Sequence, residues 1–267
     1  RGDQALRLKP RFDAAFWRWM ARFWRECTTE RAALNTARKA RLCLYSQSVF
    51  HETVGATGLA YDGRRGGLLY LYRSEAALAA ASAKSRILTD AGCAIETLDR
   101  DAAARADPAL EPVKLRIAGA LYAPHDESGD CRLFARNLTE WLRARGVAFR
   151  FGEEISGLEQ EAGRIVRVRT TSSSHGADAF VLALGVYSPH VARPLGIDLP
   201  VYPVKGYAFT APVAGRNNPP TIGGVDESAL VAYAPYGDRI RVTGTAEFSG
   251  YNREHRPQDF ATMLKSM

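Results

Sequence analysis

The sequence predicts a mixed α/β protein, a layered α/β part joined to a mostly antiparallel sheet. Three stretches carry that prediction. Phe180, Val181, Leu182, Ala183 and Leu184 form an unbroken apolar run, the pattern of a strand covered on both faces. Upstream, residues 133–169 read as a helix, a strand and a hairpin, a succession that builds an α/β layer. Downstream, Ile240, Val242 and Gly244 alternate with Arg239, Arg241 and Thr243, the period-two signature of a half-covered strand.

A chain of 267 residues, 46% of them hydrophobic, suits one large domain or two small ones with a substantial core. Its net charge of +7 is local. Residues 1–41 hold eleven Lys or Arg against four acids, and the other 226 residues carry 25 of each. Nucleic-acid binding is therefore the least favoured function class, because the fold as a whole offers no basic face. Cys27, Cys43, Cys93 and Cys131 lie at neither zinc nor dithiol spacing, so no metal site is expected and four free thiols suit a reducing compartment. No run reaches the roughly 18 apolar residues that a spanning helix needs. The chain opens on Arg1 and stops within a helical pattern, so it reads as the interior of a longer protein.

Along the chain, residues 13–27 predict a helix with Phe16, Trp17, Met20, Phe23, Trp24 and Cys27 on one arc and Arg18, Arg22 and Arg25 opposite. That aromatic arc has two uses, packing on the body of the protein or lying in a membrane interface, and packing is favoured. A second helix is expected over 30–51, with Leu34, Leu42, Tyr45 and Val49 on one face. Asp62-Gly63 between apolar runs predicts a hairpin within 58–73. Ser74 and Asp99 are placed as N-caps of the next two helices. Strands are expected at 94–98, 119–123 and 147–151, and a glycine-stopped helix at 133–145. The loop 125–130 carries an imidazole and three carboxylates but matches no calcium loop, and is expected at the surface. Residues 155–158 and 165–169 predict a hairpin, 171–176 a polar loop, 188–195 a helix and 199–210 a long strand. A hairpin at 229–234 and 239–245 follows, then a helix from Pro257.

No GxGxxG, Walker loop or GxSxG is present. Five stretches nevertheless form a pattern: Thr57-Gly-Leu-Ala-Tyr-Asp-Gly-Arg-Arg-Gly-Gly67, Asp126-Glu-Ser-Gly-Asp-Cys-Arg-Leu-Phe134, Gly146-Val-Ala-Phe-Arg-Phe151, Leu199-Pro-Val-Tyr-Pro-Val-Lys-Gly-Tyr207 and Asp238-Arg-Ile-Arg-Val-Thr-Gly-Thr-Ala-Glu247. In order and spacing this resembles the bacterial FAD-dependent D-amino acid dehydrogenases of the D-amino acid oxidase group, from about Leu8 to the end. Enzymes of this type begin with a strand–GxGxxG–helix for the FAD pyrophosphate. The resemblance thus implies an internal portion lacking that segment and the later flavin-contacting one. It also implies a helical segment over 1–57, a substrate domain over 58–118 and 199–267, and part of the FAD-binding domain over 119–198.

The implied reaction is oxidation of a D-amino acid to the oxo acid and ammonia, with hydride passing to FAD and electrons to a quinone-type acceptor. By motif position, the resemblance places the Ile155 main chain at the adenine and Ala183, Leu184 and Gly185 beside the ADP part. It places Lys205 near the flavin, as a carboxylate or flavin-charge partner or else a solvated lysine, and makes Tyr207 and Tyr233 candidates for the substrate cavity. His51 and His125 are not assigned, because hydride transfer from a neutral amine demands no base. The expected location is cytoplasmic, with a peripheral contact on the inner face of the bacterial plasma membrane through residues 13–27 as its extension. Other readings stay open: a related enzyme acting on hydroxyproline, an opine or glycine, or a truncated, non-catalytic piece or interaction subunit.

Overall fold

The computed structural model describes residues 6–8 and 12–266. Arg1, Lys9 and Arg11 of the basic stretch lie outside them. In chain order the elements are β1 (Leu6–Leu8), α1 (Ala14–Glu26), α2 (Thr29–Thr57), β2 (Arg64–Arg65), β3 (Leu68–Tyr72), α3 (Glu75–Asp90), β4 (Glu96–Asp99), α4 (Arg100–Ala106), β5 (Gly119–Ala123), β6 (Glu127–Ser128) and α5 (Cys131–Arg143). There follow β7 (Ile155–Glu161), β8 (Arg164–Thr170), β9 (Ser174–Gly176), α6 (Ser188–Ala192), β10 (Lys205–Pro212), β11 (Gly223–Asp226), β12 (Val231–Tyr236), β13 (Arg239–Phe248) and α7 (Ala261–Ser266). Two compact units result, one from β1, residues 25–141 and 204–266, the other from residues 12–24 and 142–203.

The larger unit is built on an eight-stranded mixed sheet, ordered β1-β13-β12-β11-β3-β5-β4, with β10 also paired to β13. Its apolar side chains form two clusters. Leu69 and Leu71 of β3 pack with Ala103 of α4, Leu110 and Ile222. Tyr207, Val231, Ile240, Val242 and Met263 form the other. The predicted alternation on β13 holds, with Ile240 and Val242 buried and Arg241 and Thr243 exposed. Local chemistry sets the helix starts, since the Ser74 hydroxyl accepts from Ala77 N at 3.3 Å and Asp99 Oδ1 from Ala102 N at 2.7 Å. Gly119–Ala123 forms the expected strand, and it is hydrogen-bonded between β3 and β4 in this sheet.

Three expectations change here. The strand pair at 58–73 does not close on itself: 58–61 is irregular, β2 pairs with β6 and β3 pairs with β5 and β11. Asp62 still turns the chain at φ 52°, but the sheet offers β3 longer partners than its own hairpin would. Helix α2 runs past His51 until Gly58, whose left-handed backbone (φ 66°) caps it. The expected apolar face of Leu34, Leu42, Tyr45 and Val49 is exposed, and α2 buries Ala40 instead.

The smaller unit holds the antiparallel sheet β7-β8-β9. The hairpin at 155–169 forms as expected, and β9 extends it into the stretch read as a loop. The apolar run 180–184 is no strand: it is irregular, and Val181 is 91% exposed. A strand covered on both faces needs hydrogen-bonded neighbours, and no described strand pairs with it. Residues 147–151 are irregular for the same reason. The strand expected from Leu199 starts only at Lys205, because Pro200 and Pro203 lack the N–H donors that a ladder needs. On α1, Phe16 is buried against Tyr202 with ring centroids 5.2 Å apart, and Trp19 approaches the same ring. The Asp13 carboxylate caps that helix and accepts the Tyr202 hydroxyl at 3.0 Å. Packing therefore claims one edge of the aromatic arc, while Trp17, Phe23 and Trp24 stay exposed.

Candidate functional site

In the smaller unit, the four residues assigned to the cofactor flank fall into two places. Ile155 opens β7, opposite Thr170. Ala183, Leu184 and Gly185 end the exposed apolar ribbon, and a short 3-10 turn (Gly185–Tyr187) leads from them into α6. Gly185 has φ +54°, and a Cβ placed there would meet no protein atom within 4 Å. An uncharged ribbon ending in a glycine that faces open space leaves room for a flat ring system to lie against the main chain. These residues fit one flank of a dinucleotide and supply no glycine loop for its phosphates.

Beside Ile155 sits a polar knot that the sequence did not reveal. One oxygen of Glu153 accepts from Thr170 Oγ1 at 3.1 Å, Ser173 Oγ at 2.9 Å and His175 Nε2 at 3.0 Å. The His175 bond first, and then Ser173, hold the carboxyl down at about 2.

In the larger unit, Lys205 is neither solvated nor open. Its ammonium lies 3.0 Å from Glu247 Oε1 and donates to the Glu254 carbonyl at 2.8 Å. Burial opposes its charge, but the bonds to Glu247 and Tyr207 outweigh that and raise its pKa. The Tyr207 hydroxyl donates to Glu247 Oε2 at 3.1 Å. The Glu247 side chain is 0% exposed. A register shift explains the inward carboxylate. β13 steps out of phase with β10 between Gly206 and Tyr207, where Thr245 takes φ 62°. The extra residue reverses the alternation, so Glu247 points inward. Strict period-two reading from Ile240 does not predict a bulge, and this carboxylate was missed.

Tyr233 is packed against both apolar clusters. Its ring lies over Gly224, where a Cβ would sit 2.4 Å from the hydroxyl oxygen. Burial first, then the nearby Asp107 and Asp226 carboxylates, drive its phenol well above the ordinary range. The structure thus brings Lys205 and Tyr207 together, holds Tyr233 in the core, and encloses both tyrosine rings.

The loop 125–130 lies at the surface, as expected, with His125 and Asp126 exposed. β6 pairs with β2, and the loop forms the floor of a groove of about 490 Å³ walled by Leu44, Phe50, Tyr61 and Phe134. Glu127 there binds His51 at 2.5 Å and Arg65 at 3.3 Å. Burial pushes the Asp126 carboxyl up, and burial together with Asp126 pushes the Tyr70 phenol to about 12. Among the described residues, no cluster of three or more His, Cys, Asp or Glu is placed to hold a metal ion, and no helix is long and apolar enough to cross a membrane.

The chain is 41% identical over 265 residues to D-amino acid dehydrogenase 2 of Mesorhizobium japonicum, covering 99% of this chain and 64% of that protein. It is 44% identical over 249 residues to D-amino acid dehydrogenase of Rhizobium johnstonii, covering 93% of this chain and 60% of the relative. It therefore spans less than two thirds of the length of these relatives. Glycine oxidase from Bacillus cereus shares the fold, with a TM-score of 0.71 at 18% identity over 86% of this chain and 61% of that one. The family model for FAD dependent oxidoreductases, DAO, matches residues 12–267. The chain belongs to that family.

Proposed function

We propose that this chain forms part of an FAD-dependent D-amino acid dehydrogenase that converts a D-amino acid to the 2-oxo acid and ammonia. The observation that carries the reading is the 41% identity, sustained over 99% of the chain, to a relative of that name. FAD, when bound, supplies the hydride acceptor, and a quinone-type acceptor takes the electrons onward. The residues of this chain bind and orient. Ile155, Ala183, Leu184 and Gly185 flank the cofactor through main chain and small apolar surface. Lys205, Tyr207 and Tyr233 shape the sheet that receives the amino acid, and the buried Tyr207 with the half-buried Lys205 and Tyr233 supports a role in fixing that floor rather than in gripping substrate through free polar tips. The working assignment is a cytoplasmic enzyme touching the inner face of the plasma membrane through residues 13–27. Exposed Trp17 and Trp24 beside Arg18 and Arg25 support that contact.

The test uses the complete protein that contains this chain. Flavin bands in the visible spectrum and dye-linked turnover of D- but not L-amino acids are expected. A purified protein with no flavin bands, with or without added FAD, would favour the truncated, non-catalytic reading. Turnover confined to glycine, hydroxyproline or opines would move it to a related substrate class. Flotation with anionic vesicles reads the membrane contact separately, and no binding would remove it.

A further inference from the structure

We propose that Glu247 is a positioning residue of the reaction: its buried carboxylate clamps the Lys205 ammonium and the Tyr207 hydroxyl at fixed points of the β10–β13 floor. The inference rests on the amine-oxidising reading above and deepens it.

The geometry is that of a two-pronged clamp. One carboxylate oxygen faces Lys205 at 3.0 Å and the other takes the Tyr207 hydroxyl at 3.1 Å. The ammonium also sits 5.2 Å from the centroid of the Tyr207 ring, so the two side chains that Glu247 holds also hold each other. Every packed element adds a constraint. From β1, Arg7 lies 5.7 Å from the same ring centroid and pairs with Asp259 at 2.9 Å. From residues 254–260, the Glu254 carbonyl takes the ammonium, while His255 meets Phe260 edge-on and Phe260 meets Tyr207. From β13, Thr243 Oγ1 donates to the Tyr207 carbonyl at 3.0 Å.

Such a pair has two uses. A core ion pair of this kind stabilises little compared with a well-packed apolar pair, and replacing both members is often neutral. Its distinguishing property is to hold a cation at a defined place with its charge kept, where it favours negative charge developing nearby. The Lys205 side chain is only 15% exposed, so without the carboxylate its burial would disfavour the ammonium. Glu247 is therefore what allows Lys205 to act as a permanent cation.

The experiment follows kcat against pH in the complete, flavin-loaded protein with a D-amino acid. Wild type is expected to show no basic limb from Lys205. E247Q is expected to acquire one, with kcat falling about tenfold for each pH unit above the lowered Lys205 pKa. K205M/E247Q is expected to lose that limb and run at a uniformly low kcat. K205M/E247L replaces the pair with neutral side chains and covers the case in which E247Q fails to fold. If the pair serves stability alone, this folded double variant keeps wild-type kcat and overturns the proposal. An E247Q profile identical to wild type, or a limb that persists in K205M/E247Q, also overturns it. Wild-type protein that neither binds flavin nor oxidises amino acids would instead sink the underlying functional reading.

Discussion

Thr245 and Glu247 are joined by a change of face: the left-handed backbone at Thr245 (φ 62°) inserts the extra residue that turns Glu247 into the core. A β-branched residue is costly in that conformation, by about 1–2 kcal/mol relative to glycine. Thr245→Gly removes this strain at the expense of backbone entropy in the unfolded chain. The expected outcome is unchanged or slightly higher stability, by up to about 1 kcal/mol. Thr245→Pro cannot reach a positive φ and should lose about 3 kcal/mol or more. Urea unfolding of both variants checks the pair, and a stable Thr245→Pro would contradict the bulge.

Gly185 offers a separation of fold from cofactor. Apart from its chain neighbours, no protein atom lies within 4 Å of the place where its Cβ would be, so the Cβ of Gly185→Val meets open space. The backbone strain at φ +54° costs about 1–2 kcal/mol. Flavin retention by the complete protein should be lost while its far-UV circular dichroism is preserved. Undiminished flavin absorbance in Gly185→Val would remove Gly185 from the cofactor flank.

A third expectation concerns Gly224. A Cβ there falls 2.4 Å from the Tyr233 hydroxyl oxygen and 2.5 Å from the adjoining ring carbon. Gly224→Ala should destabilise by about 1–3 kcal/mol through overpacking. Adding Tyr233→Leu, which withdraws the ring from Gly224, should make the alanine less harmful than it is alone. A double-mutant cycle with no coupling would mean that the ring does not lie over that glycine.

The Glu153 knot predicts an acid response. Its carboxyl, held at about 2 by His175 and then Ser173, stands below the ordinary 4.5. A depressed carboxyl supports the folded form above the unfolded value, and that support is lost as pH falls through the folded one. Amide protection of Ser173 and His175 should therefore drop between pH 4.5 and about 2. In Glu153→Gln the same window should be flat. Hydrogen exchange reads both, and an identical drop in the variant would assign the effect elsewhere.

Much of the fold was legible because its local signals agree with its tertiary structure. Ser74 and Asp99 cap the helices they were expected to cap, and the alternation of Ile240 and Val242 is the alternation of the sheet. Two of the failures turn on strand partners distant in sequence, present or absent. Phe180 to Leu184 have the composition of a covered strand, yet a strand exists only where a neighbour hydrogen-bonds to it. Residues 58–73 carry a hairpin's turn at Asp62-Gly63, but β5 and β11 compete successfully for β3. At the site, Lys205 and Tyr207 were visible through their motif, whereas their acceptor is 40 residues or more away and faces them only because of a bulge.

Tyr233 contacts both apolar clusters of the large sheet. Disorder beginning around Leu69 removes one wall of its ring, and disorder around Val242 removes the other. Neither half can therefore loosen without disturbing the side chain they share, and the strands from β4 across to β10 should melt as one cooperative block, in a single calorimetric transition.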